Sequence, residues 1–203
     1  MKRLFDFALS LSATIVLLPI FIFIYAAIRL SGKGPAIFRQ ERAGKNGRPF
    51  MFYKFRTMTD DVDPFGPSPK SKDDPRLTKV GKFLREYSLD ELPQLFNVLK
   101  GDMSIVGPRP LYMSQMAEWN DRQKKRLLVK PGLTGLAQIS GRAHLTREEK
   151  LELDVKYVES AGFWRDVKII LRTIAQVVTR KSIYEKKYSQ TELTRGDNKS
   201  GLR

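Results

Sequence analysis

The chain is predicted to be an α+β protein, mostly α, with an apolar N-terminal membrane helix followed by one basic domain that carries a small β-hairpin. Three observations predict this. From Phe7 to Ile28 no charged residue occurs, and these about 22 positions match the ~20 apolar residues that a bilayer-crossing helix needs. Several later stretches space their apolar residues for helices, and one passage between Ala36 and Phe55 reads as two short strands around a turn. The total of 203 residues leaves room for a single sizeable core. The expected division is a membrane helix over 1–30, a domain over 31–181 and a polar tail over 182–203.

Composition removes several chemistries before any motif is read. The absence of cysteine excludes disulfides, zinc–thiolate sites and cysteine nucleophiles together, and fits a cytoplasmic setting. His144 is the only histidine, which argues against a histidine-based triad and against a multi-histidine metal site. A formal net charge of +15 calls for an anionic partner: nucleic acid, anionic lipid head groups or phosphorylated substrates. Charge alone does not choose among them.

The N-terminal run discriminates better. It is longer than the apolar region of a signal peptide and no small-residue cleavage site follows it. An ordinary spanning helix has the right length, but Pro19 would break one of its hydrogen bonds and kink its axis. Basic residues flank both ends, Lys2 and Arg3 before, Arg29, Lys33, Arg39 and Arg42 after. If positive charge marks the cytoplasmic side, both ends prefer that side, which favours a helix that enters, bends near Pro19 and returns. The hydroxyls of Ser10, Ser12 and Thr14 are the side chains available to satisfy freed carbonyls there.

Strands are expected over Ala36–Gln40 and Pro49–Phe55, joined by a turn at Gly44–Gly47. The polar, Pro/Gly/Asp-rich segment 60–72 reads as a loop. Leu77–Tyr87 carries Leu77, Val80 and Leu84 at helical spacing, so a short amphipathic helix is expected, with Arg85 on it. Leu111–Val129 reads as a further helix, with Arg122, Lys124, Lys125 and Arg126 crowding its second half. Pro131–Arg142, PGLTGLAQISGR, is expected to be a loop, too irregular for a strand and unlike a G-x-x-x-x-G-K-S/T phosphate loop. Thr146 with Glu149 forms a capping box that opens a helix to about Glu159. Phe163, Val167, Ile170, Leu171, Ile174, Val177 and Val178 mark one face of a last amphipathic helix ending in Arg180 and Lys181, and Ser182–Arg203 is expected to be partly disordered.

The most chemical stretch is Ser88–Pro110, SLDELPQLFNVLKGDMSIVGPRP, where the adjacent acids Asp90 and Glu91 are followed by a rigid turn carrying Arg109. Ser88 and Glu91 read as a capping box that starts a helix at Leu89. Pro93 lacks the interior N–H that helix would need, so the alternative start is near Pro93 itself. Either way both acids lie at a helix N-terminus, as mere caps or as groups that meet an anion or a metal. The GPRP turn favours the second reading, since an arginine fork matches a pair of phosphate oxygens.

This stretch, together with KFRTM (Lys54–Met58), DPRLTKVGKFLR (Asp74–Arg85) and PGLTGLAQISGR, closely resembles the monotopic phosphoglycosyl transferases, the bacterial sugar transferases that start glycan assembly on undecaprenyl phosphate. The resemblance covers nearly the whole chain and looks like the smallest, catalytic-domain-only form. It implies a re-entrant, monotopic membrane helix broken at Pro19, amphipathic interfacial helices, and a place at the cytoplasmic face of the bacterial inner membrane. The family's Ser-Pro pair at the break is Leu18-Pro19 here. It also implies UDP-sugar and undecaprenyl phosphate as substrates, inner-membrane lipids as partners, Mg²⁺ as cofactor and no nucleic acid.

The same resemblance implies Asp90 as nucleophile and metal ligand, Glu91 as its neighbouring acid and Asp166, in D-x-K-I, as a supporting carboxylate. Lys54, Arg56, Arg85, Arg109, Gln138 and Arg142 are the implied phosphate or nucleotide contacts. The sugar is not readable. Length and tail look most like the enzymes handling a diacetamido sugar, with galactose, glucose and N-acetylhexosamines open. A membrane-tethered nucleic-acid binder would explain the charge but lacks an aromatic–basic platform or a binding helix, and a plain membrane anchor leaves the acids and arginines without a role.

Overall fold

The computed structural model describes residues 1–63, 66, 69, 71–141 and 144–179. Along the chain these form α1 (Lys2–Leu30), a hairpin of β1 (Ile37–Ala43) and β2 (Pro49–Phe55), α2 (Lys79–Glu86), α3 (Gln94–Lys100), β3 (Ser104–Val106), α4 (Asp121–Lys124), β4 (Gly132–Thr134), α5 (Leu136–Ser140), α6 (Arg147–Glu159) and α7 (Phe163–Thr179). The described residues are mostly helical, with two two-stranded sheets.

Among the described residues α1 is the one helix long and apolar enough to cross a membrane. Its 29 residues would extend about 43 Å at 1.5 Å each. Its polarity is inverted relative to a soluble core helix. The buried positions of its first half are Asp6 and Ser10, while Leu11, Ile15, Val16, Leu18, Ile22 and Phe23 are exposed. That is the pattern of a helix whose outward solvent is lipid.

Both ends of α1 rest on the same domain. At the start, Lys2 pairs with Asp166 at 2.5 Å, Arg3 donates to the carbonyls of Val98 and Leu99 at the end of α3, and Asp6 accepts from Ser104 Oγ at 2.8 Å and the Ile105 N–H at 3.2 Å. At the other end Phe21 packs edge-on against Phe96 and tilted against Phe55, and Ile24 and Ile28 enter the core with Leu84, Val98 and Met103. Pro19 lies inside the continuous helix. Of the hydroxyls near it, Thr14 bonds back to the Ser10 carbonyl and the Ser10 hydroxyl is buried without a partner. Neither reaches Ile15, whose carbonyl Pro19 leaves without its helical donor.

β1 and β2 pair antiparallel in the register Ile37↔Phe55 to Ala43↔Pro49. The turn between them needs positive φ at Asn46 (56°) and Gly47 (73°), conformations that Asn and Gly adopt most cheaply. β3 and β4 pair parallel, Ser104 with Gly132 and Val106 with Thr134. This corrects the expectation that Pro131–Arg142 is a loop: its start is β4 and its middle is α5. Glycine makes the strand possible, because a Cβ at Gly132 would stand 2.1 Å from the Gly107 nitrogen.

Leu111–Val129 is not one helix either. A 3₁₀ segment, Met113–Glu118, ends at extended Trp119, and Asn120 caps the single turn of α4 with Gln123 in a reciprocal capping box. The break puts the Trp119 ring inside, 3% exposed. The other helices follow the sequence reading. Thr78 caps α2, Thr146 and Glu149 form the expected box at the start of α6, and α7 runs Phe163–Thr179 with Phe163, Trp164, Leu171, Ile174 and Val178 exposed. The expected ends at Arg180 and Lys181 and the tail 182–203 lie outside the described residues.

Candidate functional site

Asp90 sits in a tight 3₁₀ turn, Leu89–Glu91, between α2 and α3. The expected capping box at Ser88 does not form. Ser88 adopts the left-handed conformation (φ 56°) and its side chain makes no cap hydrogen bond. Pro93 is instead the cap of α3, which begins at Gln94, in line with the later of the two expected starts. The reason is the ring: Pro93 has no N–H for a helix begun at Leu89, so the chain turns once and restarts. The turn presents the Asp90 carboxylate inward, 3% exposed. From β2, Lys54 Nζ reaches Asp90 Oδ2 at 2.6 Å.

Glu91, next along, faces the GPRP turn. Arg109 Nη2 and Nη1 donate to its two carboxylate oxygens at 2.7 and 3.4 Å, a fork on a fork at the surface. Asp90, Glu91, Lys54 and Arg109 are therefore linked into one acid–base cluster by one buried and one exposed ion pair, supplied by β2, the 3₁₀ turn and the loop after β3. Gln94, one helical turn beyond Asp90, is 1% exposed and its Nε2 has no partner. The sequence reading passed over it, and the available signal was its i+4 spacing from Asp90.

The other expected residues fall in different surroundings. Arg56 donates to the Lys33 carbonyl in the α1–β1 connection, to the Asp60 carboxylate four residues on and, at 3.4 Å, to the carbonyls of Ile28 and Gly32, so it ties down the end of α1. Arg85 on α2 lies close enough to Asp74 to help hold its carboxyl down, although the main cause is the side-chain hydrogen bond from Arg76, which brings Asp74 to about 2. Gln138 on α5 has both amide atoms buried and unpartnered, beside Gly135, where a Cβ would stand 2.1 Å from the Gly107 carbonyl. Asp166 accepts from Lys2 through Oδ2 and from the Tyr157 hydroxyl (2.8 Å) through Oδ1. Burial and this bond push the Tyr157 phenol above its usual value. Arg142 lies outside the described residues.

A buried ion pair stands behind the GPRP turn, and the sequence reading missed it. Arg126 Nη2 and Nε engage Asp154 Oδ2 at 2.7 and 3.1 Å, and the same Nη2 donates to the Arg109 carbonyl at 2.5 Å. The guanidinium lies over the Trp119 ring, 4.8 Å from its centroid. Burial pushes the Asp154 carboxyl up, against the pull of Arg126. Arg42 stacks on Tyr112 at 3.5 Å nearby, and burial lowers its pKa. Arg126 was legible only as part of a basic run.

The described residues contain no group of three or more His, Asp or Glu side chains that could cage a metal. What they do offer is one buried carboxylate and one exposed carboxylate next to two cations. That set fits a hard cation that takes most of its oxygens from a substrate diphosphate and water, as Mg²⁺ does.

An apolar, outwardly exposed helix joined to a basic domain that gathers carboxylates, an ammonium and an arginine fork at one place fits a membrane-associated protein with a site suited to an anion. The chain belongs to the bacterial sugar transferase family, whose model matches residues 1–180. It is 44% identical over 192 residues to the uncharacterized sugar transferase EpsL of Bacillus subtilis, covering 95% of this chain and 94% of that one. It is 46% identical over 189 residues to the galactosyl transferase CpsE of Streptococcus agalactiae, covering 87% of this chain and 42% of that one. It is also 44% identical over 191 residues to a UDP-glucose:undecaprenyl-phosphate glucose-1-phosphate transferase of Klebsiella pneumoniae, covering 90% of this chain and 41% of that one. The chain thus spans nearly all of one relative and about two fifths of the length of the other two.

Proposed function

We propose that the protein transfers a sugar 1-phosphate from a UDP-sugar to undecaprenyl phosphate, giving undecaprenyl-diphosphate-sugar and UMP, at the cytoplasmic face of the bacterial inner membrane. The observation that carries this reading is the buried Asp90 carboxylate paired with Lys54, one residue from the exposed Glu91–Arg109 fork. The name of the Klebsiella relative supports the substrate class, and that of the Streptococcus relative supports transfer of a sugar.

In the first step an Asp90 carboxylate oxygen attacks the β-phosphorus of the UDP-sugar. The bond from that phosphorus to the bridging oxygen breaks, and UMP leaves with the electron pair. In the second step a phosphate oxygen of undecaprenyl phosphate attacks the same phosphorus, and Asp90 departs as the carboxylate. Lys54 offsets the charge of the nucleophile as it meets an anionic diphosphate. Arg109 exchanges Glu91 for phosphate oxygens and clamps them where charge shifts in the transition state. Asp90 and Glu91 would hold Mg²⁺, which when bound neutralises diphosphate charge. Gln94 and Gln138, with unpartnered buried amide groups, are available to the donor's polar groups, and Asp166 supports the site through Tyr157.

The re-entrant arrangement of α1 is part of the same proposal. Its support is that both ends of the helix pack on one domain, whereas a straight crossing would carry one end across a hydrocarbon core about 30 Å thick. A cysteine appended ahead of Met1 should resist a membrane-impermeant label in intact cells. Ready labelling would leave a spanning helix instead.

The assay supplies purified membranes with a panel of UDP-sugars, polyprenol phosphate and Mg²⁺. UMP release with one or two of the donors is the expected outcome, and it also names the sugar among galactose, glucose, N-acetylhexosamine and diacetamido donors. No UMP from any donor would contradict the reading.

A further inference from the structure

The Arg109 turn is unusual in how little it can hold itself. Pro108 and Pro110 on either side have no N–H to donate, so the position of Arg109 is set from outside. The Gly107 N–H donates to the Thr134 carbonyl at 2.9 Å, the Pro108 carbonyl accepts from the Gly132 N–H at 2.8 Å, and the Leu111 carbonyl accepts from the Ala43 N–H at 2.9 Å. Those anchors are backbone. At Arg109 itself the carbonyl is held by a side chain, Arg126 Nη2.

That side chain is in turn fixed on three sides. Asp154 from α6 takes both Nε and Nη2, Trp119 covers the guanidinium face, and the ion pair is 2% and 3% exposed. A buried pair of this kind gives little or no net stability compared with apolar residues of the same size. Its presence therefore asks for another reason, and the shared Nη2 supplies one. We infer that Arg126 and Asp154 are positioning residues for Arg109: the pair fixes the backbone of the GPRP turn so that the Arg109 fork is aimed at the phosphate site. This rests on the role proposed for Arg109. It predicts that the pair acts on the reaction only through that residue.

The experiment is a double-mutant cycle. The pair variant Arg126→Met/Asp154→Leu replaces the two charges by apolar residues of similar size. It is expected to keep the wild-type melting temperature in detergent and to lose about 10–100-fold in kcat. Introduced into Arg109→Lys, the same two changes are expected to cost less than about twofold more. Full activity of a folded pair variant overturns the inference, and so does an equal loss in both backgrounds. Should the pair variant melt early, Arg126→Lys takes its place in the cycle, since it keeps the charge but not the planar fork.

A readout without turnover separates this inference from the proposed function. Amide exchange of a peptide covering 107–112 should quicken in the pair variant while that of 94–100 does not. Unchanged exchange at 107–112 overturns the inference whatever the protein's activity, whereas failure of wild-type turnover with every UDP-sugar bears on the proposed function alone.

Discussion

Two arginine–carboxylate pairs, built from the same kinds of group and joined at the Arg109 carbonyl, differ in almost every respect that matters. Arg109–Glu91 is open, with side chains 44% and 22% exposed, and each partner can exchange the other for a ligand at small cost. Arg126–Asp154 is closed, at 2% and 3%, stacked under Trp119 and bound to the backbone of the first pair. An exposed pair is worth little because water competes for both charges. A buried one cannot lose a partner without leaving a charge unsolvated. In the roles proposed for them, the open pair supplies the group that meets the substrate and the closed pair holds that group still.

The comparison can be broken most forcefully on stability. Asp154→Ala should destabilise the protein by about 3–5 kcal/mol, because it strands the Arg126 charge, whereas Glu91→Ala should cost under about 1 kcal/mol. Melting in detergent compares the two, and equal losses would erase the distinction. On activity the order reverses: Arg109→Lys should lower kcat about 10²-fold with an unchanged melting temperature, since lysine keeps the charge and loses the two-donor fork.

The smallest effect is expected from a third pair, Asp74–Arg76, local in sequence. Asp74 is held at about 2 in the folded protein, below the ~3.9 of a free side chain. Its contribution to stability is therefore complete above pH ~4 and fades as pH falls toward about 2. Asp74→Asn should remove that segment of the acid-unfolding curve and leave turnover at neutral pH unchanged.

How much of this was legible in the sequence follows from how local each cause is. The apolar run, the hairpin turn at Asn46–Gly47 and the box at Thr146–Glu149 are signalled by neighbouring residues, and each stands where the sequence put it. β4 was not legible, since three residues that begin with glycine become a strand only by pairing with β3 far along the chain. Trp119 is apolar at helical spacing, yet its ring enters the interior over Arg126 and breaks the expected helix. Within the site, Asp90, Glu91 and Arg109 were visible as motif residues. Asp6 and Asp154 were not, because a buried carboxylate announces itself only through partners 98 and 28 residues away.

The central claim is that Asp90 carries the sugar phosphate. A capping aspartate replaced by asparagine should lose little, on the order of 1 kcal/mol or less, whereas a nucleophile replaced by its amide should lose more than roughly 10³-fold in turnover. The most direct measurement is the intact mass of rapidly quenched protein incubated with its UDP-sugar and Mg²⁺ and no lipid acceptor. Wild type should gain the mass of one sugar phosphate, and folded, membrane-bound Asp90→Asn should gain none. Wild type that never acquires that mass, or an Asp90→Asn variant that turns over normally, would contradict the two-step account and favour direct transfer in a single displacement.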